Sequence, residues 1–70
     1  MIEVFKTNVQ EHHEAQAVIT VLRNCFPERR INIDLHDCDK VLRIEGKQFH
    51  CEQVIHAVRE QGFTCAILDG

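Results

Sequence analysis

The stretch RINIDLHDCDKVLRIEG, residues 30–46, decides the fold of this 70-residue chain. In both of its halves, INIDL and VLRIE, an isoleucine or leucine alternates with a polar or charged residue. Such alternation is typical of strands that have one buried face and one solvated face. The polar segment HDCDK between the two halves suits a turn. The stretch therefore predicts a β-hairpin.

Helical patterns flank the hairpin on both sides. In residues 11–25 apolar side chains recur at spacings of three and four, and Pro27 ends the pattern. Residues 49–61 repeat that spacing, and Gly62 suits the end of a helix. The outer segments IEVFKT, residues 2–7, and FTCAIL, residues 63–68, have strand composition. The residues expected in the core are Val18, Ile19, Leu22, Ile31, Ile33, Leu35, Ile44, Val54, Ile55 and Val58.

The order β-α-β-β-α-β predicts a ferredoxin-like sandwich of the α+β class. We expect a four-stranded antiparallel sheet of order 4-1-3-2 that carries both helices on one face. Aligning the second half of the chain on the first supports two similar units, because it places Val41 on Val4 and Ile55 on Val18. The length leaves room for one small domain over residues 1–70.

Charge and hydropathy exclude several classes of partner. Eight Lys plus Arg stand against eleven Asp plus Glu, for a net charge of −3, so no basic surface is expected to attract nucleic acid. No apolar run is long enough to cross a membrane, and the N-terminus lacks the pattern of a signal peptide. We therefore expect a cytoplasmic chain without a membrane partner.

The four cysteines, Cys25, Cys38, Cys51 and Cys65, are widely spaced and form no CxxC pair. With no sign of secretion, we interpret them as reduced thiols, several of which act as small hydrophobic residues. Cys25 and Cys51 are expected at the same end of the fold. Packing in the core is favoured over a thiol pair there, because free cysteine is commonly buried.

The segment EHHE, residues 11–14, stands where the first helix begins. Imidazole and carboxylate groups together suit a divalent ion such as Zn, Ni or Co, so Glu11, His12, His13 and Glu14 are candidate metal ligands. A simpler interpretation is a solvated helix start, since acidic residues complement the positive end of a helix. We take the helix start as the main role of the segment and weak binding of a divalent ion as a secondary one.

Four segments, AVITVLRN, INIDL, VLRIEG and VIHAVREQGFTCAIL, resemble the heavy-metal-associated (HMA) domain family, which includes small copper chaperones and modules of metal-transporting ATPases. The resemblance covers the whole chain. It implies a ferredoxin-like fold and transfer of a soft metal ion through a CxxC motif in the first loop. Here the two cysteine positions of that motif fall on Glu11 and Glu14. Carboxylates do not suit Cu(I), so we expect no copper-chaperone activity.

Two hypotheses remain open for the function, and neither is an enzyme, because no nucleophile has a base in a recognised context. The first is a module that binds a divalent metal ion through EHHE. The second is a metal-independent protein-interaction or dimerisation module that uses the open sheet face or an edge strand, with a homodimer or another protein as the partner. A regulatory domain that binds amino acids and shares the element order is a third option.

Overall fold

The computed structural model describes residues 1–68 and contains the six predicted elements in the predicted order. Neighbouring strands are all antiparallel, in the order β2-β3-β1-β4, which confirms the ferredoxin-like fold and the predicted order 4-1-3-2. The elements are β1 (Ile2–Thr7), α1 (His12–Cys25), β2 (Arg30–Asp34), β3 (Val41–Glu45), α2 (Cys51–Arg59) and β4 (Cys65–Ile67).

Helix α2 and strand β4 are shorter than predicted. The backbone of His50 is extended, with φ −97° and ψ 121°, so α2 begins after it and not at residue 49. At the other end, residues 60–62 form a turn in which the Gly62 amide donates to the Arg59 carbonyl at 2.9 Å. Gly62 has a φ of +92°, a conformation that favours glycine. Gly62 therefore closes the turn that follows α2.

The core lies between the sheet and the two helices, and within residues 1–68 no polar or charged side chain is buried in it. The rings of Phe26 and Phe49 pack edge to face at one end, with centroids 6.4 Å apart. The buried residues are Phe5, Val9, Ala15, Val18, Leu22, Phe26, Ile31, Ile33, Leu42, Ile44, Phe49, Val54, Val58 and Cys65.

Four expectations about the core are wrong. Ile19 and Ile55 are only partly buried, because each lies at the margin of its helix's apolar stripe, and Leu35 is partly buried because β2 ends before it. Cys25 is exposed. It is the last residue of α1, and the next residue, Phe26, is the one that enters the core.

Arg29 ties together the two loops at the end of the sandwich where Phe26 and Phe49 pack. Its guanidinium donates to the carbonyls of Pro27 at 2.9 Å, Lys47 at 3.2 Å and Gln48 at 2.7 Å. Gly46 makes room for this side chain, since a Cβ at that position would lie 2.9 Å from the Arg29 Cγ. We call these residues the Arg29 clamp.

No helix within the described residues has the length and apolar character needed to cross a membrane.

Candidate functional site

Three loops meet at the end of the sheet opposite the Arg29 clamp. At the end of β1, the Thr7 amide donates to the Asp39 carbonyl at 3.0 Å, and the Thr7 hydroxyl donates to the Lys40 carbonyl at 2.7 Å. The Thr64 amide donates to Oδ1 of Asn8 at 2.8 Å. These bonds fasten the first loop, the hairpin turn and the α2–β4 connection to one another. Side chains from three separate segments therefore share one surface.

The EHHE segment forms the start of α1 at this end. Glu11 is the N-cap residue and has an extended backbone, with φ −105° and ψ 149°. The Oε1 atom of Glu14 accepts hydrogen bonds from the amides of Glu11 at 2.9 Å and Gln10 at 3.2 Å. The two amides lie at the helix start, where backbone donors lack intrahelical partners. Glu14 is thus engaged in capping and is half-buried, whereas Glu11, His12 and His13 are exposed.

The two histidines do not point the same way. They are successive residues of α1, and successive side chains on a helix are rotated by roughly 100°. At most one imidazole can therefore share a face with a neighbouring carboxylate. Assignment of Glu11, His12, His13 and Glu14 as metal ligands stays a prediction.

A different set of ligand-type side chains converges in the hairpin turn. The ligand atoms of Asp37, Cys38 and Asp39 all lie within 4.8 Å of one another, and all three residues are exposed. No other group of three within residues 1–68 meets this distance. The turn accounts for their proximity, because Oδ1 of Asp37 accepts from the Asp39 amide at 2.9 Å. The sequence predicted a polar turn at the same end of the fold as the first loop, with Asp37 and Cys38 in it, but it did not predict that these three side chains converge.

An open depression lies beside this turn, with a volume of about 710 Å³. Cys38 and Asp39 border it on the hairpin side, and Arg59, Phe63 and Cys65 border it on the side of α2 and β4. It is a shallow surface whose lining carries one acidic side chain, Asp39, and two basic side chains, Lys6 and Arg59. Such a surface suits contact with an ion or another chain better than enclosure of a small molecule.

Two of the four free cysteines have thiols with raised pKa values. Burial raises the pKa of Cys65 to about 11. Burial also raises the pKa of Cys51, and the nearby Glu3 carboxylate, which accepts from the thiol at 3.7 Å, raises it further. A protonated thiol is a poor nucleophile and a poor metal ligand. Neither cysteine is therefore poised for such chemistry at neutral pH.

Comparison with known proteins supports the fold and leaves the function open. No protein-family model matches the chain, and no curated protein sequence matches it. Among solved structures, the yeast copper transporter domain CCC2A, determined in solution in apo and Cu(I)-loaded states, is similar with a TM-score of 0.80. The match covers 97% of this chain and 94% of that one at 14% sequence identity. The chain therefore has an HMA-like ferredoxin fold, and at this identity the likeness shows the fold alone.

Proposed function

We propose that this chain is a small, non-catalytic binding module that takes up a divalent metal ion weakly through its first loop. His12 or His13 is the leading ligand, and Glu11 or Glu14 adds a carboxylate. The observation that carries the proposal is the exposure of both histidines at the start of α1, in an HMA-like fold. Imidazole with carboxylate suits Zn, Ni or Co, whereas carboxylates do not suit Cu(I).

Three features of the site keep the affinity low. The Glu14 carboxylate already accepts two backbone hydrogen bonds, so it must share its oxygens between the helix and the metal. The positive end of the helix repels a cation. The two histidines diverge, so the first loop supplies only two or three ligands. We therefore expect occupancy only at raised metal concentration.

Calorimetric titration with Zn at neutral pH tests the proposal. The wild type should give one weak binding event that is lost in the double variant His12→Ala/His13→Ala. His56→Ala is the matched control, because His56 is an exposed histidine on α2 that lies outside the first loop. Absence of any heat with the wild type, or an equal loss in the control, would reject the metal site.

A metal-independent interaction module is the second candidate. It is favoured by the exposed apolar side chains of the strands, since Ile2 remains 55% exposed and Ile67 42% exposed. Ile2 lies on the sheet face opposite the helices, next to the partly buried Val4 of the same face. A module of this kind would bind its partner equally well in a metal chelator.

A further inference from the structure

The sequence of strand β2, RINID, is complementary to itself when two copies run antiparallel. Pairing that is centred on Asn32 places Arg30 opposite Asp34 of the second copy and Asp34 opposite Arg30. The same register places Ile31 opposite Ile33. Opposite charges therefore face each other on one side of the joined sheet, and apolar residues face each other on the other side.

The fold leaves this strand available for such pairing. In the order β2-β3-β1-β4, β2 is an edge strand, and one side of its backbone has no neighbour in the sheet. Edge strands with unpaired amides and carbonyls are templates for pairing with another chain. Arg30, Asn32 and Asp34 are exposed on the open face, and Ile31 and Ile33 point into the core.

The charges at the two ends of β2 lack strong partners within their own chain. The Arg30 side chain is 90% exposed, and its guanidinium lies 3.8 Å from the Glu45 carboxylate, at the outer limit of an ion pair. Oδ1 of Asp34 accepts from the His36 amide at 2.9 Å, which leaves the second oxygen for another donor. Directly opposite residues of antiparallel strands have Cβ atoms roughly 4.5–5.5 Å apart, within reach of both side chains.

We propose that this chain forms a two-fold symmetric dimer with a second copy of itself by antiparallel pairing of the β2 strands, which joins the two sheets into one of eight strands. Other registers of the β2–β2 pair bring less favourable side chains opposite each other. A slip by one residue sets polar against apolar side chains. A slip that centres the pair on Arg30 or on Asp34 sets like charges opposite each other.

The other edge strand, β4, is a poorer candidate. It has three residues, Cys65–Ile67, and no charged side chain among them. The β2 pairing adds main-chain hydrogen bonds and two ion pairs, and it buries little further apolar surface because Ile31 and Ile33 are already buried. The dimer is therefore weak and dependent on concentration. The dimer needs no metal, so a test of the dimer does not depend on the proposed metal site.

Charge reversal tests the proposal by sedimentation velocity, with EDTA and a reductant present to prevent bridging by metal ions or by disulfides. Arg30→Asp and Asp34→Arg should each weaken self-association by about ten-fold or more, since like charges then face each other twice. An equimolar mixture of the two variants should form a heterodimer, and the double variant Arg30→Asp/Asp34→Arg should recover the wild-type association.

Lys6→Asp is the matched control, because it makes the same charge change on the same sheet face but on β1. It should leave association unchanged. Recovery in the mixture also shows that each single variant is folded. Three outcomes would overturn the proposal: a monomeric wild type at about 1 mM protein, an unchanged dimer in Arg30→Asp, or single variants that fail to pair with each other.

Discussion

At the scale of single residues, Glu14 links the stability of the fold to the proposed metal site. Its carboxylate accepts from the amides of Gln10 and Glu11, the two residues that precede α1. A metal ion that recruited Glu14 would compete with these bonds. Glu14, which stands at one of the two cysteine positions of the family motif, is therefore already engaged in capping the helix.

Replacing Glu14 with Ala should lower the free energy of unfolding by about 1 kcal/mol, because two backbone donors lose their acceptor. Glu14→Gln keeps an acceptor oxygen and should lose clearly less. Urea unfolding of the two variants beside the wild type makes the comparison. Equal losses in both variants would assign the effect to the negative charge at the helix start and not to the hydrogen bonds.

The Cys65 thiol should make stability fall in alkaline solution. Its pKa is about 11 in the folded chain, above the ordinary thiol value of 9.0, because the side chain is buried. The folded state therefore holds a proton that the unfolded state releases at lower pH. The contribution of the protonated Cys65 thiol to the free energy of unfolding is complete below pH 9.0. It is lost as the pH rises from about 9 to about 11.

Urea unfolding of the wild type and Cys65→Ala between pH 8 and pH 11 measures this contribution, since the other titrating groups are shared by both chains. The wild type should lose stability more steeply than the variant over this range. Parallel pH profiles would contradict a raised pKa at Cys65.

Turn geometry explains why the sequence did not predict the cluster in the hairpin. Asp37, Cys38 and Asp39 converge because they lie within the reversal of the chain, where the Lys40 amide donates to the Asp37 carbonyl at 3.0 Å and Lys40 has a φ of +46°. Glycine and asparagine are the usual signals for that conformation, and the segment HDCDK has neither. The positions of Glu11, His12 and His13 at a helix start follow from their local sequence and were predictable.

At the scale of helices and strands, alternation and helical spacing were sufficient to predict all six elements and their order. The edges of the buried stripe on each helix were less predictable. Ile19 and Ile55 fit the stripe by their spacing but are only partly buried. Spacing identifies the face of a helix, and the width of its buried part depends on the partner it packs against. The centre of the stripe, Leu22, is fully buried as predicted.

Leu22→Ala should lower the free energy of unfolding by about 2–5 kcal/mol, because it leaves a cavity between α1 and the sheet. Arg23→Ala changes the neighbouring exposed residue of the same helix and should cost less than about 0.5 kcal/mol. Chemical unfolding of both variants gives the two values. A loss of under about 1 kcal/mol for Leu22→Ala would mean that the helix is not anchored by this face.

At the scale of the whole molecule, we expect the fold to hold together without a metal ion. Within residues 1–68, the core is built from apolar side chains and Cys65, and the candidate ligands of the first loop lie outside it. Small domains that depend on a structural metal instead unfold when it is removed. Loss of a weakly held ion should therefore affect binding and leave the fold intact.

We predict that excess EDTA leaves the thermal midpoint of the purified protein unchanged. Excess Zn should raise the midpoint slightly by mass action, because a ligand that binds the folded state stabilises it. Differential scanning calorimetry of the wild type and His12→Ala/His13→Ala gives both results. A fall in the midpoint with EDTA would show that a metal ion contributes to folding.

The Arg29 clamp makes the two ends of the sandwich unequal in how much change they tolerate. One guanidinium fixes the length of the α1–β2 and β3–α2 loops together, so an insertion in either loop would pull carbonyls away from Arg29. The hairpin turn at the opposite end is exposed; it has short-range bonds of its own, and Thr7 holds it to the first loop through the carbonyls of Asp39 and Lys40. We therefore expect that new ligand-bearing side chains can be grafted at residues 36–38, ahead of the two carbonyls that Thr7 holds, while the clamped end keeps the sandwich folded.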